Sequence, residues 1–188
     1  ILSFNIESKA ELKKIETVAS NLKKIAPVSI RFNPDIDSGG HDYITTGRKG
    51  DKFGINNLDE TIELAKYIRN SKNLEMVGLA CHIGSQILNL KSYEMASKKT
   101  IDLATQINKL GIDLQFFDMG GGLGVPYLDE SPPHPKELIS MLEEIFVNRN
   151  EKLILEPGRS ISANAGVLLT KVEYIKDNFL IVDAAMND

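Results

Sequence analysis

The sequence predicts an α/β fold, a parallel sheet of the doubly wound or (β/α)-barrel kind, followed by the start of a β-rich domain. Three observations predict it. Short apolar runs alternate with amphipathic segments of helical period. The runs are apolar almost throughout rather than at every second residue, as in strands buried on both faces. After residue 166 the alternation stops, and two strand-like runs follow with no helix between them.

The elements follow in order. "ILSFNI" reads as a buried strand over 2–6. Ser8 stands three residues before Glu11, the spacing of a capping box. Leu12, Ile15, Val18, Leu22 and Ile25 recur at three and four residues, the period of an amphipathic helix. "VSIRFNP" is the next strand, over 28–33, stopped by Pro34. Residues 34–56, rich in Gly, Asp and Thr, read as a long loop. A second helix runs from about Asn57 to Asn70, with Leu58, Ile62, Ala65 and Ile68 on one face. "EMVGLACHIGS" supplies a strand over 76–82. A third helix covers about 92–110, with Gly111 as its stop. "LQFFDMGGG" is a strand over 114–119 entering a glycine turn. A fourth helix follows Pro135, a residue suited to a first turn. "KLILEPG" is the fifth strand, over 152–156. "GVLLTKVEYIK" and "FLIVDAAMND" then read as consecutive strands. The expected division is a barrel part over 1–165 and the first strands of a β-domain over 166–188.

Composition narrows the function classes. Apolar residues make up 42% and charged residues 26%, a globular balance. A net charge of −4 with no basic block argues against nucleic acid as a partner. Cys81 is the single cysteine, so no internal disulfide framework is expected, and a reducing, cytoplasmic setting fits. No run of about 18 apolar residues predicts a membrane span, and no secretory signal is visible. The first residues already look like the inside of a fold, and there is no initiator Met. The chain therefore reads as an internal piece of a longer protein.

In a parallel barrel the working residues sit at the C-terminal ends of strands. Three strand ends carry unusual residues: "CHIGSQ" (81–86), "DMGGGLG" (118–124) and "EPGR" (156–159). "NIES" and "RFNP" are lesser candidates. Glycines at 120, 121 and 122 let backbone N–H groups approach an anion, although a plain tight turn is as good a reading of them alone. Val125 stands where a dinucleotide fingerprint needs glycine, and no Walker motif exists. His82 ends a strand, where a histidine making one hydrogen bond is the simpler explanation. His41 and His134 stand alone in loops and, with Cys81, give no metal-ligand spacing. Glu156 and Arg159 could simply pair with each other at a rim. Lys13, Lys14, Lys23 and Lys24 read as a solvated face, and Met76 and Met95 as packing residues.

Taken together, "HIGSQI", "DMGGGLGVPY", "EPGRSISANAGVLLTKVEYIK", "FLIVDAAMND" and the loop "RFNPDIDSGGHDYITTGRKGDKFGI" closely resemble the diaminopimelate decarboxylase family, in order and over essentially all 188 residues. The resemblance implies a partial (β/α)8 TIM barrel of the alanine-racemase-like type, with about five of its eight strands, and then a β-domain. It implies the cofactor pyridoxal 5'-phosphate, the substrate meso-diaminopimelate, converted to lysine and carbon dioxide, and a homodimer whose sites lie at the subunit boundary. It also implies roles. Glu156 would face the pyridine nitrogen, and Arg159 would grip substrate. Pro157 and Gly158 belong to the "EPGR" backbone that helps to hold the cofactor. Gly120, Gly121 and Gly122 would offer N–H groups to the phosphate. His82 would stack on the ring, and Ser85 would lie near the phosphate. The family's Schiff-base lysine belongs to a "Y-x-V-K-A-N"-like segment that is absent here, so no catalytic lysine is expected in this chain, which should be inactive alone. Its later Arg-Pro, Cys-Glu and tyrosine segments are absent too, and Cys81 stands where an aromatic is more usual. Related decarboxylases acting on ornithine, arginine or carboxynorspermidine form a second reading, although "HIGSQI", "GGGLG" and "AGVLLTKVEYIK" favour the diaminopimelate branch. A non-catalytic, partner-binding paralogue is a third, yet it would be expected to lose Glu156 or the glycine run, and both are kept.

Overall fold

The computed structural model describes residues 1–36 and 52–185. Five strands, β1 (Phe4–Ile6), β2 (Ala26–Arg31), β3 (Leu74–Ala80), β4 (Phe116–Asp118) and β5 (Lys152–Ile154), form one sheet in the order of the chain. Every pairing between them is parallel. Helices α1 (Lys9–Asn21), α2 (Leu58–Asn70), α3 (Lys91–Asn108) and α4 (Pro135–Ile145) fill the crossovers. Beyond a short α5 (Arg159–Ser162), β6 (Val172–Lys176) and β7 (Phe179–Val182) pair antiparallel as a separate two-stranded sheet. The expected α/β architecture is the observed one.

The strands are shorter than the apolar runs suggest, because ladder pairing ends before the apolar side chains do. "LQFF" yields a three-residue β4, and "GVLLTKVEYIK" yields a strand only from Val172. Continuous burial holds best for β3, where all but Glu75 are buried. Ile6, Ile30, Leu79 and Phe117 are fully enclosed and join Leu64, Ile68, Leu103 and Ile107 of the helices in one core. Burying one such side chain is worth roughly 1.5–3 kcal/mol.

The helix ends follow local chemistry. The Ser8 hydroxyl accepts the Glu11 N–H at 3.2 Å, as expected, but the Glu11 carboxylate returns to the N–H of Glu7, at 2.8 Å, rather than to that of Ser8. His134 is not an isolated loop residue. Its Nδ1 accepts the Lys136 N–H at 3.2 Å, and Glu137 accepts the His134 N–H at 2.6 Å, so the pair caps α4 around Pro135. Gly111 adopts φ +75°, a left-handed conformation that suits a residue just past a helix.

One helix face departs from expectation. Leu12 and Ala19 of α1 are buried and Ile15 packs on the core, whereas Val18 is exposed, as are Leu22, the C-cap, and Ile25, which lies beyond the helix altogether. The apolar spacing runs on past the end of the helix at Asn21. Of the long loop, residues 37–51 lie outside the described residues, with His41 among them, as do residues 186–188 of "AMND". Among the described part of that loop, Ile55 forms a parallel bridge with Phe32, extending the line of β2.

Candidate functional site

Because all five strands are parallel and adjacent, their C-terminal ends lie on one edge of the sheet, and a cleft of about 360 Å³ opens there. Each strand contributes. Asn5 comes from β1, Arg31 ends β2, Ala80 ends β3, Asp118 ends β4, and Glu156 stands two residues past β5. Cys81, His82 and Phe53 complete the lining. His82 and Glu156 thus share one cleft, at the edge where the glycine turn leaves β4.

The turn is built by its neighbours. The Gly120 N–H donates to Asp118 Oδ1 at 2.9 Å, and the Gly121 N–H donates to His82 Nδ1 at 3.2 Å. The Glu156 N–H donates to the Gly120 carbonyl at 2.8 Å, stitching the two loops together. The Tyr93 hydroxyl, rising from α3, donates to the Gly121 carbonyl at 2.9 Å. The Gly122 carbonyl accepts the Ile87 N–H at 2.9 Å. Side chains have no room here, since a Cβ on Gly121 would lie 2.0 Å from the Glu156 carbonyl oxygen. The resemblance implies that all three glycine amides face an anion. In this structure two of them donate to protein acceptors, the Gly120 N–H to Asp118 and the Gly121 N–H to His82. Among the described residues, only the Gly122 amide of the three donates to no protein group.

Arg159 does not pair with Glu156. Its guanidinium bonds Gln86 Oε1 at 3.2 Å and lies over the Tyr127 ring at 5.7 Å. Pro157 and Gly158 are exposed at the rim beside Glu156, and Ser85 is half-buried in the loop that follows His82. Arg31 is held by Glu7 at 2.7 Å, and Glu7 also accepts the Gly54 N–H at 2.8 Å. Asp118 and Asn5 lie in the "DMGGGLG" and "NIES" stretches but carried no role of their own in the sequence reading, and Tyr93 was not singled out. A buried Asp beside a glycine run and a Tyr on a helix's inner face look like turn and core residues, and only their partners reveal otherwise.

Electrostatics sharpens the picture. Burial raises the Asp118 carboxyl above the usual aspartate range, and the Glu156 carboxylate beside it adds to the rise, against the lowering effect of the Gly120 N–H. Burial pushes the Cys81 thiol to about 12, so it stays protonated and inert. Burial first, and then Arg31, lowers the His82 imidazole below its ordinary value. A neutral ring whose Nδ1 accepts the Gly121 N–H carries its proton on Nε2. The His82 resonances should accordingly titrate with a midpoint below about 6.5. The unfolded chain takes up that proton first. This residue's contribution to stability is thus complete above the unfolded pKa and is lost as the pH falls through the folded one. An NMR titration with a midpoint at or above that of an unstructured histidine would contradict the assignment.

The set comprises a flat neutral imidazole, a carboxylate at the rim, an unpaired amide in a cradle that side chains cannot enter, and an arginine nearby. It suits a planar ligand bearing a basic ring atom and an anionic arm. Among the described residues no lysine lines the cleft, and no cluster of potential metal ligands exists. No described helix is long and apolar enough to cross a membrane.

Comparison with known proteins agrees with this chemistry. Residues 1–163 match the family model described as the pyridoxal-binding domain of pyridoxal-dependent decarboxylases. The chain is 47% identical to diaminopimelate decarboxylase of Haemophilus influenzae and 44% identical to that of Aquifex aeolicus, in each case over 100% of this chain and 46% of the relative. It superposes with a TM-score of 0.89, at 45% identity, on the crystal structure of Helicobacter pylori diaminopimelate decarboxylase complexed with L-lysine, covering 100% of this chain and 48% of that one. The chain thus spans about half the length of the relatives it matches.

Proposed function

This chain belongs to the pyridoxal-dependent decarboxylases through their pyridoxal-binding domain, and we propose that the protein containing it decarboxylates meso-diaminopimelate to L-lysine. The observation that carries the proposal is the meeting of His82, the glycine turn and Glu156 at the C-terminal edge of one parallel sheet. Relatives of 41–47% identity bearing the diaminopimelate decarboxylase name supply the substrate class.

The residues present fit pyridoxal 5'-phosphate. When bound, that cofactor supplies an electron-accepting ring for the bond broken as carbon dioxide leaves. Glu156 would hold a proton on the ring nitrogen. The imidazole of His82, kept neutral and fixed by the Gly121 N–H, would lie against the ring face. The turn of Gly120, Gly121 and Gly122 would receive the phosphate, with the Gly122 amide donating and Ser85 close by. Pro157 and Gly158 carry the backbone that holds Glu156 and Arg159 on one turn. Arg159 offers its planar fork to a substrate carboxylate, exchanging its contact with Gln86.

The test is turnover of purified full-length protein supplied with pyridoxal phosphate, with lysine and carbon dioxide measured from meso-diaminopimelate and compared with ornithine and arginine. Preference for either of the latter would overturn the substrate assignment. Residues 1–188 alone should release no carbon dioxide, since no described lysine lines the cleft to bond the cofactor. The proposed assembly is a homodimer in the cytoplasm. A fully active monomer in sedimentation would argue against it.

A further inference from the structure

We infer that Tyr93 is a positioning residue that aims the Gly122 amide at the cofactor's phosphate, an inference that rests on reading the glycine turn as a phosphate cradle. The turn contains three peptide units, and each is restrained by a different group. The Gly120–Gly121 unit is held through the Gly121 N–H by His82. The Gly122–Leu123 unit is held through the Gly122 carbonyl by Ile87. Between them, the Gly121–Gly122 unit is held among the described residues by one contact, the Tyr93 hydroxyl on the Gly121 carbonyl at 2.9 Å.

That unit is the one most in need of restraint. Glycine stands on both sides of it, so rotation of the whole peptide plane meets little steric resistance of the kind a Cβ imposes. Gly122 already lies at φ +93°. The peptide is trans, so its carbonyl and its N–H point in opposite directions. Fixing the carbonyl toward Tyr93 therefore fixes the Gly122 N–H away from α3. This is the amide of the turn that no described group accepts. Tyr93 is suited to the task. It is 1% exposed on the inner face of α3, so its ring is fixed by packing. Burial raises its hydroxyl pKa, so it remains a donor at every physiological pH.

Tyr93→Phe keeps the ring and removes only the donor. In full-length protein, equilibrium affinity is measured for pyridoxal 5'-phosphate and for pyridoxal, which differ in the phosphate. Comparing the ratio of the two affinities between wild type and variant cancels the intrinsic chemistry of the ligands. The wild type should prefer the phosphorylated form, and Tyr93→Phe should cut that preference about tenfold, the scale of one net hydrogen bond, while pyridoxal affinity stays unchanged. Ile107→Val, a fully buried packing loss on the same helix, should leave the ratio alone. A wild type without preference for the phosphate would overturn the cradle reading itself. A clear wild-type preference that survives Tyr93→Phe, or that Ile107→Val reduces equally, would overturn the role of Tyr93 only.

Discussion

Glu156→Gln in the full-length protein should lower turnover by about a hundredfold or more while the cofactor is still retained. The carboxylate is proposed to keep the ring nitrogen protonated, and an amide of the same shape cannot. Each pKa unit lost at that nitrogen corresponds to about 1.4 kcal/mol, or tenfold in rate if the loss falls on the transition state. Asp118 is a poor substitute. Its carboxyl is buried, has a raised pKa and already accepts the Gly120 N–H. Retention rests on other groups, chiefly the glycine turn. Affinity and turnover should therefore separate, and unchanged turnover in steady-state assays would remove Glu156 from its proposed role.

Gly121→Ala should damage both halves of the site at once. The added Cβ would sit 2.0 Å from the Glu156 carbonyl oxygen, far inside contact distance, and that atom belongs to backbone. Either the turn retreats from β5 or the residue carrying the acid is pushed outward. Overpacking of this kind costs about 1–3 kcal/mol of stability. It also strains the bond from the Glu156 N–H to the Gly120 carbonyl. We expect a fall of about a hundredfold in affinity for pyridoxal phosphate, together with a lower melting temperature. Gly166→Ala, at a site where a new Cβ meets nothing within 4 Å, serves as the control and should match wild type. Normal cofactor affinity in Gly121→Ala would show that the two loops are not packed as described.

The parallel sheet was legible because burial on both faces leaves runs such as "MVGLA" without polar alternation, and because Ser8 and Pro135 mark helix starts chemically. The outer reach of α1 was not. Val18, Leu22 and Ile25 obey helical spacing, but spacing does not mark where the helix stops, and it stops at Asn21. The site residues at strand ends were also legible, since polar and glycine residues closing apolar runs stand out. Backbone direction was not. Nothing in "DMGGG" tells that Asp118 and His82 consume two of its amides, because His82 is far from the turn in sequence. Tyr93 was hidden for a similar reason. One hydroxyl on a mostly apolar helix face has meaning only once the carbonyl opposite it is known.

The strand order has a consequence for synthesis. Each strand pairs with its predecessor in the chain, so the sheet can grow in the order in which residues leave the ribosome. The imidazole and the glycines emerge and can assemble before Lys152 does. Glu156, and the N–H that closes onto Gly120, arrive only with β5. A nascent chain therefore passes through a stage in which His82 and the glycine turn are present without Glu156, which arrives with β5, the last strand of this five-stranded sheet.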